Sequence, residues 1–315
     1  PDTFIHYRIN TKTQQSASKP DTIMADHCLT LSLAYEKLKK LDSPYDLMRV
    51  FSKKLPHSFD WSLTNLDNDK KRMALTSIRS HLNPDLYQAL FGTKGPVLSL
   101  IVCAYNAGKF LNECLDSCLN QTLKEIEIIC VNDGSSDNTL AIMESYARQD
   151  HRFKVIHQEN QGLPVARQNA MKIAKGQYIQ FLDADDYLDL DTTECLFLYA
   201  QIYHLDMLSF AAIEFKNNSR IEFEDPYHIL RWLPEKFMPV FTYSDIGNVL
   251  TRVAVTSALT LYRRAYLSEN DIHWVNKKVA YEDTPFFIES LLKGARMGAL
   301  PLRFYHRRVH EAAIT

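Results

Sequence analysis

The feature that most constrains the fold is a change of pattern at Gly95-Pro96. From Val97 onward, short apolar runs rich in β-branched residues alternate with longer stretches of helical periodicity. Val97 to Cys103 reads as a strand buried on both faces. A helix follows from about Gly108 to Asn120. Ile126 to Val131 is a second buried strand, and Ser136 to Arg148 a second helix, capped near Ser135, Ser136 or Asp137. Phe153 to His157 reads as a third strand, Leu163 to Ala174 as a helix that Gly176 terminates, and Tyr178 to Leu182 as a fourth strand ending in acidic residues. This order implies an α/β fold built on a mostly parallel sheet with helices on both faces. In such sheets ligands bind beyond the carboxyl ends of the strands.

Before Gly95 the pattern is different. Residues 20 to 90 read as helices with polar connections: Thr30 to Leu41 is apolar-periodic, Ser43-Pro44 opens another candidate, and Asn83-Pro84 marks a helix start. The expected division is a helical accessory or linker segment over 1–95 and an α/β domain over 96–315. The chain opens Pro1-Asp2-Thr3, without an initiator Met or an apolar signal segment, and reads as an excerpt of a longer protein.

Charge narrows the function. With 36 basic against 38 acidic residues the net charge is -2, which gives no electrostatic case for nucleic-acid binding. No run of about 18 apolar residues is present, so no membrane-spanning helix is expected. Six cysteines fall mostly in apolar-periodic segments. Cys114 and Cys118 share a helix face, but no His or second Cys pair follows at zinc spacing, so buried free thiols in a reducing compartment are expected.

Polar clusters gather where strands end. Ala104-Tyr105-Asn106 follows the first strand, Asn132-Asp133-Gly134 the second, and Asp183-Ala184-Asp185-Asp186 the fourth. A D-x-D triplet alone says little, since Asp67-Asn68-Asp69 and Asp189-Leu190-Asp191 also occur. At a strand end, however, three carboxylates repel one another unless a cation compensates, and their oxygens suit Mg2+ or Mn2+ with phosphate oxygens completing the shell. Asp133 is placed to accept from a base or ribose. Arg167, in the first turn of the helix that opens at Gly162-Leu163-Pro164, is either a nucleotide contact or an ordinary surface cation. Glu282-Asp283 precedes an apolar helix, as an N-cap or as a general base for a hydroxyl.

Five stretches in order resemble the family-2 glycosyltransferases of the GT-A fold, of the bacterial polysaccharide and lipopolysaccharide type. They are Ser99 to Asn106, Val131 to Thr139, Gly162 to Asn169, Phe181 to Tyr187 and Tyr281 to Phe286. The resemblance implies an inverting, metal-dependent transfer of a sugar from a nucleotide donor, with UDP as the nucleotide, to a glycan or lipid-linked acceptor in surface polysaccharide synthesis. It implies that Ala104, Tyr105 and Asn106 line the nucleotide pocket, that Asp133 bonds the uracil, and that Arg167 faces the nucleotide. Asp183 would contact the ribose or sugar, and Asp185 would hold Mn2+ or Mg2+. Asp283 would be the base, with Glu282 assisting. The stretch Tyr305 to Thr315 resembles the family's closing Y-x-R-x-x-H-x-x-S-x-T pattern, with Ala313 in place of Ser; there Arg307 would touch phosphate and His310 would join the metal. A cytoplasmic site at the inner face of the membrane fits this chemistry.

Phe4 to Asn10 resembles the same closing element. Residues 1–18 are therefore expected to be the tail of a preceding glycosyltransferase module in the same chain. Two other readings stand beside the transferase. A sugar-phosphate nucleotidyltransferase needs a Gly-rich phosphate loop after the first strand, and Ala104 to Gly108 holds one glycine. A catalytically silent module would bind a glycan or partner without turnover. Acceptor choice is expected to lie in residues 215–280, where Trp232, Tyr243 and Trp274 are either sugar platforms or core.

Overall fold

The computed structural model describes residues 68–82, 84–91, 95–216, 219–221, 240–246, 256–277, 279 and 281–310. The expected helices over Thr30 to Leu41 and after Ser43-Pro44, the module tail at Phe4 to Asn10, Cys28 and Trp232 lie outside them. The chain divides into two compact units at Leu90/Phe91. In the first unit, α1 (Asn68–His81) and α2 (Pro84–Phe91) are described, and α2 begins at the proline that the sequence marks. Arg79 of α1 lies over the ring of Tyr87 of α2 at 5.2 Å.

The second unit is an α/β layer structure. In chain order it contains β1 (Leu98–Ala104), α3 (Leu111–Leu119), β2 (Ile126–Asp133), α4 (Thr139–Gln149), β3 (Phe153–Gln158) and α5 (Leu163–Ile173). There follow β4 (Tyr178–Asp183), β5 (Tyr187–Leu188), α6 (Thr192–Ile202), β6 (Met207–Lys216), β7 (Ser219–Ile221) and α7 (Tyr243–Ile246). A 3-10 turn at Ser257–Leu259 leads into β8 (Thr260–Arg263), α8 (Arg264–Glu269), α9 (Asp283–Leu292) and β9 (Met297–Arg308).

Among the described residues nine strands form one sheet, in the order β3-β2-β1-β4-β8-β6-β9-β5 with β7 on β6. The half from β3 to β4 is parallel, as the strand-helix alternation requires. Beyond β4 the sheet is mixed: β8 runs antiparallel to β4 and β6, β9 parallel to β6, and β5 antiparallel to β9. Among the described residues no helix is long and apolar enough to cross a membrane.

Burial explains the apolar runs. β1 and β2 are buried at every position; α5 packs against both strands and α4 against β2. Ile101, Cys103, Ile129, Val131, Ile179 and Phe181 share a core with Ala166 and Ala170 of α5 and Phe286 of α9. Successive strand residues face opposite ways, so Val102 and Cys130 belong to the other side, where Cys130 lies near Cys118 of α3. Cys103, Cys114, Cys118, Cys130 and Cys195 are buried free thiols, and burial pushes the Cys103 thiol up to about 12.

Two helices start later than the sequence reading: α3 begins at Leu111, and α4 at Thr139 with Asn138 at its N-cap position, while Asp137 accepts from the Thr139 backbone N–H at 3.0 Å. Ser135 and Ser136 do not cap it because both are engaged by Asn106 of the preceding loop.

At the amino end of the sheet, Glu127 is buried and accepts from Ser99 Oγ (2.6 Å), Lys154 Nζ (2.5 Å) and the backbone N–H groups of Lys175 (2.5 Å) and Gly176 (3.1 Å). Burial opposes its ionisation, but these donors outweigh it and hold the carboxyl below its ordinary 4.5. Gly176 packs against the Ser99 backbone, leaving no room for a Cβ. Glu127→Gln is expected to cost roughly 2–4 kcal/mol in urea unfolding at pH 7. The lowered folded-state titration stabilises above pH 4.5 and is lost as pH falls through the folded value, so the difference from wild type should narrow below pH 4.5.

Candidate active site

Register brings the polar clusters to one edge. Ala104 pairs with Asn132, Cys103 with Asp183, and Asp133 with Gln158, so β1 to β4 end together. The loops after β1 and β2 are then stitched to each other. Asn106, in a left-handed conformation (φ 51°), donates its backbone N–H to Ser135 Oγ (2.9 Å) and accepts the Ser136 N–H on its side-chain oxygen (2.8 Å). The Ala107 N–H bonds Thr139 Oγ1 (2.9 Å) and the Gly108 N–H bonds Asp137 (3.0 Å). A Cβ at Gly108 would collide with the side chain of Asn138. Ala104 is buried beneath this seam, while Tyr105 stands 55% exposed on it. The Asn106 carboxamide thus shapes the loop rather than projecting from it.

Asp133 is buried at the end of β2. It accepts from Gln158 Nε2 (2.8 Å) and from the backbone N–H groups of Gln161 (2.9 Å) and Gly162 (2.8 Å), fixing the loop that leads into α5. Gly162 has φ 90°, the left-handed region that glycine tolerates best.

The centre of the site is Arg167. Its side chain is 3% exposed, and its Nη1 meets Asp283 Oδ1 at 2.6 Å and Glu282 Oε1 at 3.5 Å, while Nη2 meets Asp183 Oδ1 at 3.0 Å. Burial alone would favour losing the proton, but Asp283 and Asp183 outweigh it and raise its titration further. The guanidinium lies over Trp274 at 4.8 Å and Phe181 at 5.5 Å. Trp274 stacks on Phe286 at 4.1 Å and is core, not an open sugar platform; Tyr243 is exposed on α7. One buried cation therefore gathers Asp183 from β4 and Glu282-Asp283 from the start of α9.

The acidic motif divides its residues. For Asp183, burial raises the carboxyl titration, Arg167 lowers it, and Asp283 and Asp185 raise it, for a net rise. Its side chain remains 39% accessible, so solvent moderates that rise and a ligand can reach it. Asp185 Oδ2 faces His310 Nε2 at 2.9 Å. Asp186 is buried: it accepts from Tyr305 OH (2.7 Å) and the Arg308 backbone N–H (2.7 Å), and burial with Asp183 and Asp185 pushes it up to about 8. The Tyr305 hydroxyl also accepts the Asp183 N–H at 3.2 Å. Strand β9 thereby holds the motif in place.

Of the two adjacent arginines, Arg308 reaches the motif. Its Nε donates to the Asp185 carbonyl at 2.9 Å, its Nη2 pairs with Glu113, and its guanidinium lies over Phe110 (4.7 Å) and Phe215 (4.5 Å). Arg307 is aimed at Glu214 of β6 at 2.9 Å instead. Neighbouring strand residues point to opposite sides, so a pair of arginines cannot both face the site, and the motif alone does not say which does. Sequence reasoning also passed over Tyr305 as an anchor and over Ser257, which touches both Arg167 and Asp283. The other D-x-D triplet in this unit serves the fold: Asp189 binds His306 at 2.7 Å and Asp191 stands at the N-cap position of α6.

Comparison with known proteins decides the family. The family model described as "Glycosyl transferase family 2" matches residues 99–269. The chain belongs to this family. Relatives include the putative glycosyltransferase EpsH of Bacillus subtilis, 50% identical over 31% of the chain and 29% of EpsH. The uncharacterized glycosyltransferase EpsJ of the same organism is 31% identical over 70% of the chain and 63% of EpsJ. The chain thus spans less than two thirds of these relatives. The crystal structure of S. aureus TarS 1-349 in complex with UDP-GlcNAc shares the fold with a TM-score of 0.58 and 26% identity, over 69% of this chain and 59% of that one.

Tyr305→Phe removes the hydroxyl that bridges the Asp183 N–H and the Asp186 carboxyl. It should lower stability by about 1–2 kcal/mol in denaturant titration while the circular dichroism of the native state is unchanged.

Proposed function

We propose that this domain is an inverting glycosyltransferase that moves a sugar from a UDP donor to a hydroxyl of a glycan or lipid-linked acceptor in surface polysaccharide synthesis. The observation that carries this reading is the Arg167 hub, which places a strand-end carboxylate, Asp183, and a helix-start carboxylate, Asp283, on the two nitrogens of one guanidinium. A strand-end acid serves the donor, and a second acid on a different element serves the acceptor. The UDP-GlcNAc complex of the TarS neighbour supports a UDP sugar as the donor class. The β1–α3 loop argues against nucleotidyl transfer, because its one glycine N–H is spent on Asp137.

A divalent cation fits the residues present. Among the described residues no three such side chains converge as a ready cage. Asp185 and His310, 2.9 Å apart, would hold such a cation, and an oxygen-plus-imidazole pair would suit Mn2+ better than Mg2+. When bound, the cation offsets charge on the departing diphosphate. Asp183 orients the donor's ribose or sugar, Arg167 keeps Asp183, Glu282 and Asp283 in register, and Asp283 takes the acceptor proton. In one in-line step the acceptor oxygen bonds the anomeric carbon, the bond to the phosphate oxygen breaks, and UDP leaves. Ala104 and Tyr105 form the wall against the nucleotide, with Asn106 and Asp133 setting that wall's shape. Arg308 sits closer to the acidic motif than Arg307 as the source of positive charge near the diphosphate. Such chemistry belongs in the cytoplasm, at the inner face of the membrane where a lipid-linked acceptor is met. That residues 1–18 are the tail of a preceding glycosyltransferase module in the same chain remains part of this proposal.

Thermal-shift measurements with nucleotides and Mn2+ test the reading. UDP or a UDP sugar should stabilise the protein only with the metal present, and indifference to every nucleotide would overturn the proposal. Asp185→Ala should abolish the metal-dependent shift. Asp283→Asn should keep UDP binding and lower turnover by about 10²- to 10⁴-fold, and a normal rate would reassign the base.

A further inference from the structure

Ser257 lies fully buried in the 3-10 turn before β8, about 26 residues upstream of Asp283 in sequence but in contact with it in space. The turn is pinned to the sheet, because Gln180 Nε2 of β4 donates to the Ala258 carbonyl at 2.6 Å and β8 pairs with β4. Arg167 Nη1 approaches the Ser257 hydroxyl at 3.4 Å, and that hydroxyl donates to Asp283 Oδ1. The direction follows from the chemistry of the partners. A guanidinium donates and cannot accept, so the serine turns a lone pair toward Arg167 and its single proton toward the carboxylate. Oδ1 also receives Arg167 Nη1 at 2.6 Å. It therefore carries two donors, while Oδ2 meets no protein donor among the described residues. The charged and titratable groups around Asp283 are Arg167, Glu282, Asp183 across the guanidinium and the buried phenol of Tyr262.

The geometry points to Ser257 as a positioning residue for the base: with Arg167 it commits Asp283 Oδ1 and leaves Oδ2 as the atom that takes the acceptor's proton. This inference rests on the reading of Asp283 as the base. In the step concerned, the acceptor O–H proton passes to Oδ2 as the acceptor oxygen bonds the anomeric carbon and UDP departs. Arg167 alone would fix one line of approach to Oδ1. The serine adds a second direction and so sets the carboxylate's rotation about its terminal bond, which is otherwise broad.

The test follows UDP release from UDP-GlcNAc with Mn2+, water being the acceptor, in wild type, Ser257→Ala, Asp283→Asn and the double variant. Ser257→Ala should lose about tenfold or more in kcat, the scale of one hydrogen bond to a charged group, with KM for UDP-GlcNAc near wild type and the circular dichroism of the native state unchanged. It should add nothing in the Asp283→Asn background, which a merely structural defect would not reproduce. Wild-type kcat in Ser257→Ala beside an impaired Asp283→Asn would overturn the Ser257 assignment alone. A normal rate in Asp283→Asn would overturn the base reading and the inference with it. A crystal structure of Ser257→Ala gives a readout independent of donor choice: a rotated or doubly placed Asp283 carboxylate is expected, and an unmoved one would overturn the proposal.

Discussion

A guanidinium buried this deeply needs compensating charge, and a carboxylate held near it needs the guanidinium in return. Arg167 and its acids satisfy each other, and much of the candidate site's geometry follows from that mutual demand. Asp183 arrives from the end of a parallel strand, Glu282 and Asp283 from the start of a helix 116 residues beyond Arg167 in the chain. The aromatic rings of Trp274 and Phe181 line the same cation and exclude water from its faces, which strengthens each ion pair. Removing the arginine would leave three acids facing one another beside an apolar core.

The second tie is strand β9. Its residues Tyr305 and Arg308 hold Asp186 and the Asp185 carbonyl, while His310, just past its end, meets the Asp185 carboxylate. Strand β9 also pairs with β6 and β5, so the far half of the mixed sheet positions the acidic motif that the parallel half delivers. A polar acceptor is therefore buried at Asp186: it accepts the Arg308 backbone N–H and the Tyr305 hydroxyl at once, a role that an apolar side chain does not fill.

The parallel half of the fold was legible because β1, β2 and β4 are buried on both faces and separated by helices with clear polar sides. The run from Cys195 to Phe215 was not, since α6 and β6 are both almost wholly buried there and periodicity cannot separate a buried helix from a buried strand. In the candidate site the clustering of Asp133, Arg167, Asp183 and Asp283 at one edge followed from strand ends and motif order. Their partners did not. That Arg167 turns inward to acids, that Arg308 is the arginine facing the motif, and that Ser257 touches Asp283 depend on contacts between segments far apart in sequence. No local pattern encodes them.

The seam between the loops after β1 and β2 has a further consequence for ligand binding. The Asn106 N–H donates to Ser135, Ser136 donates its N–H and hydroxyl to the Asn106 carboxamide, and the Ala107 and Gly108 N–H groups donate to Thr139 and Asp137, so these loops are joined to each other. Under the proposed function, in which this seam faces the nucleotide, a wall already joined would spare an incoming base the entropy of ordering two loops. It would also be unforgiving: a nucleobase of different outline would have to break the seam rather than bend it. Selectivity for the base would then come from stiffness, and freedom to evolve toward other sugars would reside elsewhere along the edge.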